Sequence, residues 1–155
     1  MHTPPTMHRL AEVLPGTWRL GATNIVFWID GRHDETRYSY EIVTETPFVL
    51  HETLAYTTQD GRQRQLQGRA RRVRNEFMWR GTGMRMPIVR RWNIIGLSDD
   101  GAVAVMRNRK APFFPEGMSI LVREGVVVEE LRAEVAKHAT SWGLEPEDFA
   151  TLTWL

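Results

Sequence analysis

Glu52 stands between Leu50 and Leu54, inside a run from Phe48 to Tyr56 whose alternate residues are apolar. A carboxylate on the apolar face of a strand must be paired, protonated or hydrated. Two readings follow. In one, an arginine across the molecule holds it, with Arg64 or Arg91 as candidates. In the other, it orients a ligand or works as a general acid or base with a raised pKa. Tyr38, Tyr40 and Tyr56 fall on the same kind of alternation and add hydroxyls that both donate and accept. Other chemistry finds little support. His2, His8, His33, His51 and His138 form no ligand-spaced pair, so no metal is expected. There is no Gly-x-Ser-x-Gly nucleophile turn and no phosphate-binding loop. The absence of cysteine excludes disulfides, thiolate metal sites, a Cys nucleophile and lipidation on Cys.

The elements that must position these residues belong to one domain, 1–155. Hydrophobic residues make up 42% and charged residues 25%, ordinary for a globular protein. The net charge of +1 implies no general field for nucleic acid. Lysine occurs only at Lys110 and Lys137, so the basic residues are nearly all arginine, which composition bias or anion binding would each explain. Met1 to Leu14 contains Pro4, Pro5, His8, Arg9 and Glu12 and lacks the apolar run of a secretory signal. No stretch approaches the ~20 apolar residues of a membrane span. These features lead to the expectation of a cytoplasmic protein that engages neither nucleic acid nor membrane. They carry no information on oligomeric state.

Asp30-Gly31, Asp60-Gly61 and Asp100-Gly101 each separate β-prone runs, and Asp-Gly supplies the positive φ angles that tight hairpins need. Thr46-Pro47, Arg74-Asn75 and Gly81 to Gly83 read as further turns. The intervening runs predict strands at 16–29, 35–45, 48–58, 62–73, 76–81, 87–97, 102–108 and 117–123, with a break near Ala22-Thr23 in the first. Eight consecutive strands with short connections predict an all-β, antiparallel up-and-down barrel over about 16–123. A helix is expected at 127–141, with Val127, Leu131 and Val135 packed on the barrel's outside. A short strand is expected at 149–154, and a short helix at 6–13.

Three marks then fall in order: Gly16-Thr17-Trp18, Leu97-Ser98-Asp99-Asp100-Gly101, and Arg123 closing Met118 to Val122. Together they resemble the lipocalin pattern of the calycin superfamily, and Trp92 to Asp100 is similar to the sixth strand and acidic turn of bacterial lipocalins. The resemblance covers nearly the whole chain. It implies a barrel with a ligand cavity, with Trp18 plugging the closed end and Arg123 stacked across it. The chain departs from secreted members in that Met1 to Leu14 is not expected to be a secretory signal and no cysteine is present, and its first inter-strand connection reads as short. A divergent, cytoplasmic calycin-type barrel fits these departures.

Strand alternation turns Tyr38, Tyr40 and Ile42 inward, with Phe48, Leu50, Glu52, Leu54 and Tyr56, then Arg64, Leu66, Gly68 and Ala70, then Phe77 and Trp79. Trp92 and Ile94 occupy positions that resemble pocket-lining positions of the family. His51 faces out, which argues against a haem ligand, and no cofactor is expected. Loops carrying Met84, Met86, Phe113 and Phe114 gather at the open end as a hydrophobic rim, with Arg85, Arg109 and Lys110 beside them. The expected ligand-binding residues are Tyr38, Tyr40, Glu52, Leu54, Tyr56, Phe77, Trp79, Trp92, Phe113 and Phe114. The expected activity is binding of a small hydrophobic or amphipathic molecule. Two alternatives stay open: an isomerase, hydratase or decarboxylase using Glu52 with Tyr38, Tyr40 and an arginine on a hydrophobic acid, and a barrel filled by its own side chains.

Overall fold

Apolar alternation and the three Asp-Gly turns fold the chain into the expected meander. The structure, a computed structural model, describes residues 2–83, 89–112 and 114–155. Met84, Arg85, Met86 and Phe113, and residues 87 and 88 of the expected sixth strand, lie outside the described residues. After α1 (Met7–Val13) come β1 (Gly16–Thr23), α2 (Val26–Ile29), β2 (His33–Thr44), β3 (Val49–Thr58), β4 (Gln63–Val73) and β5 (Glu76–Gly81). Then follow β6 (Val89–Leu97), β7 (Val103–Asn108), β8 (Gly117–Arg123), α3 (Leu131–His138), α4 (Pro146–Thr151) and β9 (Thr153–Trp154). Sequential strands pair antiparallel, and β1 pairs with both β2 and β8, so the sheet closes on itself. The short β9 adds to β1 at Ala22 and Thr23, outside the barrel.

Closure divides the apolar side chains into two layers. The interior holds Trp18, Tyr38, Tyr40, Leu50, Leu54, Phe77, Trp79, Trp92 and Ile94. A second layer lies on the outer surface of β1, β7 and β8, where Ala22, Val103, Val105, Met118 and Ile120 meet Val135, Trp142, Leu144 and Leu152. β7 and β8 are thus covered on both faces, which explains why their sequences are continuously apolar rather than alternating. The C-terminal segment is a strut on the barrel wall.

Three expected boundaries are corrected. The first strand does not run to Ile29; it ends at Thr23, and α2 follows. The register shifts after Leu20. Thr23 Oγ1 donates to Met118 O at 2.8 Å and accepts Ile25 N–H at 3.1 Å, while Asn24 Oδ1 accepts Met118 N–H at 2.7 Å. These side chains replace ladder bonds and release the backbone to turn across the mouth. The first connection is therefore not short but carries a helix.

The long helix begins at Leu131, not Val127, and Val127 is 83% exposed. Val126 and Val128 pack against the outer layer instead. Alternation of period two governs that segment, so the valine between them points to solvent. The last strand is likewise shorter than expected. Phe149 lies in α4, which Pro146 opens and the Asp148 carboxylate supports by accepting Glu145 N–H at 3.1 Å. Among the described residues, no helix is long and apolar enough to cross a membrane.

Candidate functional site

The barrel's two ends are built from different chemistry. At the closed end the Trp18 indole donates to Leu14 O at 3.0 Å, and the Arg123 guanidinium sits 4.3 Å from the Trp18 ring centroid. Arg123 also donates to Val13 O, to Pro15 O at 3.0 Å and to Gly101 O at 3.3 Å. A Cβ at Gly16 would stand 2.8 Å from the Arg123 guanidinium, and Gly16 has a φ of +119°. That explains the glycine two residues before the tryptophan. Leu10 and Leu14 complete the plug.

At the other end a pocket of about 290 Å³ opens between α2 and the β7–β8 connection. Its wall is mostly apolar and aromatic: Ile25, Phe27 and Trp28 from the α2 segment, then Tyr38, Leu54, Tyr56, Leu66 and Trp79 from the barrel. Phe114 and Pro115 close the remaining side. Phe27, Trp28 and Tyr56 form an edge-to-face group around His33, whose ring stacks on Phe27 with centroids 3.8 Å apart. Trp79 lies against the backbone of β4, where a Cβ at Gly68 would fall 2.4 Å from the indole. Absence of a side chain at Gly68 lets that indole form the wall.

Two polar residues line this pocket along with the tyrosines, Arg90 and Asn108, 3% and 6% exposed. Arg90 donates to Glu52 Oε1 at 2.6 Å, a buried ion pair across the barrel. The guanidinium carbon also lies 5.4 Å from the Trp79 ring centroid and 5.8 Å from that of Phe114. Burial alone would lower the pKa of Arg90. The Glu52 carboxylate, with Tyr38 and Tyr40, outweighs that penalty and raises its pKa above the ordinary value. Burial pushes Tyr38 up to about 12 and Tyr40 well above the usual phenol range, so both hydroxyls stay neutral at physiological pH. Arg90 Nε and Asn108 Nδ2 have no hydrogen-bond partner among the described residues, nor do Tyr40 Oη, Glu52 Oε2 and the indole N–H groups of Trp79 and Trp92.

Of the residues singled out from sequence, Tyr38, Leu54, Tyr56, Trp79 and Phe114 line the pocket. Tyr40, Glu52, Phe77 and Trp92 are buried beneath it, with Phe77 and Trp92 stacked at 4.5 Å. Phe113 lies outside the described residues. Two expectations about charge are corrected. Glu52 pairs with Arg90 rather than Arg64 or Arg91: Arg64 is exposed, and Arg91 lies 3.8 Å from Glu76. Arg109 does not serve the mouth but donates to Glu76 at 2.9 Å. The signal for Arg90 was present, since Trp92 and Ile94 turned inward place residue 90 on the same face. Ile25, Phe27 and Trp28 were hidden by the reading of 16–29 as one strand. Leu66 faces inward by alternation, whereas Asn108 and Pro115 carry no local mark in the sequence. Among the described residues no group of three or more His, Asp or Glu side chains is placed to hold a metal ion.

No family model matches the sequence, and no curated protein does. Solved structures do match in fold. A biogenic amine-binding protein superposes with a TM-score of 0.64 at 10% identity, over 99% of this chain and 84% of that one. The siderocalin Ex-FABP, described as having dual ligand specificities, gives 0.62 at 14% identity over 92% and 93%. The bovine lipocalin allergen Bos d 2 gives 0.55 at 14% identity over 92% and 92%.

Proposed function

The chain has a lipocalin-type fold, and from that premise we propose that it binds a small hydrophobic or amphipathic molecule in the open end of its barrel. The observation that carries this reading is the pocket of about 290 Å³, framed by Trp28, Tyr38, Leu54, Tyr56, Trp79 and Phe114. A concave, largely apolar wall with a few buried polar groups is how small-molecule sites are generally built. The volume suits a compact ligand of one or two fused rings or a short branched chain. Burial at ~25 cal/mol per Å² makes micromolar affinity accessible to a ligand of that size. The α2 segment and Phe114 act as the rim.

The binding reading is favoured over the enzymatic one by the position of Glu52. Its carboxylate is bound to Arg90 beneath the pocket, and the described lining holds no carboxylate, serine or histidine. A general acid or base must reach the proton it moves. The site residues Tyr38, Tyr40, Glu52, Leu54, Tyr56, Phe77, Trp79, Trp92 and Phe114 divide accordingly in the proposal, the pocket-lining set touching ligand and the deeper set holding its floor. A cytoplasmic location belongs to the same proposal, and cell fractionation tests it.

Native mass spectrometry of the purified protein should show a co-purifying small molecule. Titration with a mixed panel of retinoids, fatty acids and uncharged aromatic ketones and esters should, for at least one member, change the emission of Trp28 and Trp79, which line the pocket. Silence across such a panel, with no retained ligand, would leave the filled-barrel reading.

A further inference from the structure

The charge balance around the pocket constrains the head group of its ligand. Arg90 lines the pocket, and its guanidinium lies near the rings of Trp79 and Phe114, two other lining residues. Its positive charge is already matched by Glu52, which is wholly buried and absent from the pocket wall. Tyr38 and Tyr40 add no charge. A carboxylate placed on Arg90 would leave one uncompensated negative charge beside Glu52 in an aromatic enclosure. An ammonium would face the guanidinium directly. Both are penalised where water is excluded. Meanwhile Arg90 Nε and the Asn108 side-chain N–H group are buried donors without partners among the described residues. Buried donors gain most from an acceptor.

The geometry points to a ligand whose polar end is a neutral hydrogen-bond acceptor, such as a ketone, aldehyde, ester or amide, seated against Arg90 and Asn108. This inference rests on the proposed cavity and refines it to a ligand class. It separates this chain from a receptor for fatty acid anions or for amines. The ion pair then has a use beyond packing. Glu52 neutralises Arg90 without occupying its Nε, leaving a polarised donor in a site whose described residues carry no net charge.

A panel with one hydrophobic body and four heads tests it by calorimetry on the wild-type protein: 2-acetylnaphthalene, 2-ethylnaphthalene, 2-naphthoate and 2-naphthylmethylammonium. The ketone should bind at least about tenfold more tightly than either ion, and about tenfold more tightly than the hydrocarbon. Equal affinity of ketone and hydrocarbon, or tighter binding of either ion, overturns the head-group inference and leaves the cavity standing. No binding by any of the four removes both. The Glu52→Gln variant should reverse the order, favouring naphthoate over the ketone, because Arg90 then lacks its counter-charge. An unchanged order in a folded variant overturns the inference, and if the variant does not fold the wild-type panel decides alone.

Discussion

The closed and open ends of this barrel each place an arginine near a tryptophan, yet they do opposite things with the pair. At the closed end Trp18 and Arg123 meet at 4.3 Å, and their N–H groups are spent on Leu14 O, Val13 O, Pro15 O and Gly101 O. At the open end the Arg90 guanidinium lies 5.4 Å from the Trp79 ring centroid, and the indole N–H and Arg90 Nε have no partners among the described residues. Saturated polar groups mark a part of the molecule that is finished by folding. Unsaturated ones, gathered beside a cavity, mark a part completed by something else. The same side-chain types thus serve as plug and as receptor.

The sharpest way to break this contrast is Trp18→Ala. Truncating a fully buried indole at the plug should cost about 3–5 kcal/mol, read as a lowered denaturant midpoint. An unchanged midpoint would remove the structural half of the comparison. Glu52→Ala should come next, at about 3 kcal/mol, because it strands the Arg90 charge in the interior. Joint replacement by Glu52→Leu and Arg90→Met should recover much of that loss while erasing the head-group preference of the pocket. At the rim, Phe27→Ala should cost about 1 kcal/mol or less, since the side chain is 40% exposed, yet it should weaken ligand binding measurably. Stability lost at the plug and affinity lost at the mouth is the pattern that the comparison requires.

Protonation sharpens it further. The phenols of Tyr38 and Tyr40 titrate above their ordinary value of 10.0 in the folded protein, with Tyr38 at about 12. Raised folded values mean that the Tyr38 contribution is complete below pH about 10 and is lost as pH rises through about 12, and that of Tyr40 is lost in the same direction. Denaturant midpoints should therefore fall over that alkaline window, and Tyr38→Phe should make the fall shallower. The smallest effect is expected outside both ends. Val127→Ala should stay within about 0.5 kcal/mol of wild type, because that side chain touches almost nothing.

Much of this architecture is legible in the linear chain because strands have short-range signatures. Asp-Gly turns fix hairpins locally, and alternation assigns faces without reference to a partner strand, so Tyr38, Leu54 and Trp79 could be turned inward from their neighbours alone. Signals failed where side chains override the backbone pattern. Thr23 and Asn24 end β1 through bonds to Met118, a residue 95 and 94 positions away, and no local count reveals that. The four-residue spacing of Val127, Leu131 and Val135 reads as helical, but the outer surface of the barrel accepts Val126 and Val128 and leaves Val127 in solvent.

By itself, then, the sequence determined the strand order, the inward faces and the need for Glu52 to find a partner, while its resemblance to the lipocalin pattern implied the plug of Trp18 and Arg123. Only the tertiary structure decided that the partner is Arg90, that α2 crosses the mouth, and that Asn108 and Phe114 share a wall with Tyr38. Hairpin turns and alternation are properties of a few consecutive residues, whereas barrel closure and shear bring β2, β3, β6 and β7 around one cavity. Which residues face each other across that space depends on how the whole sheet rolls up.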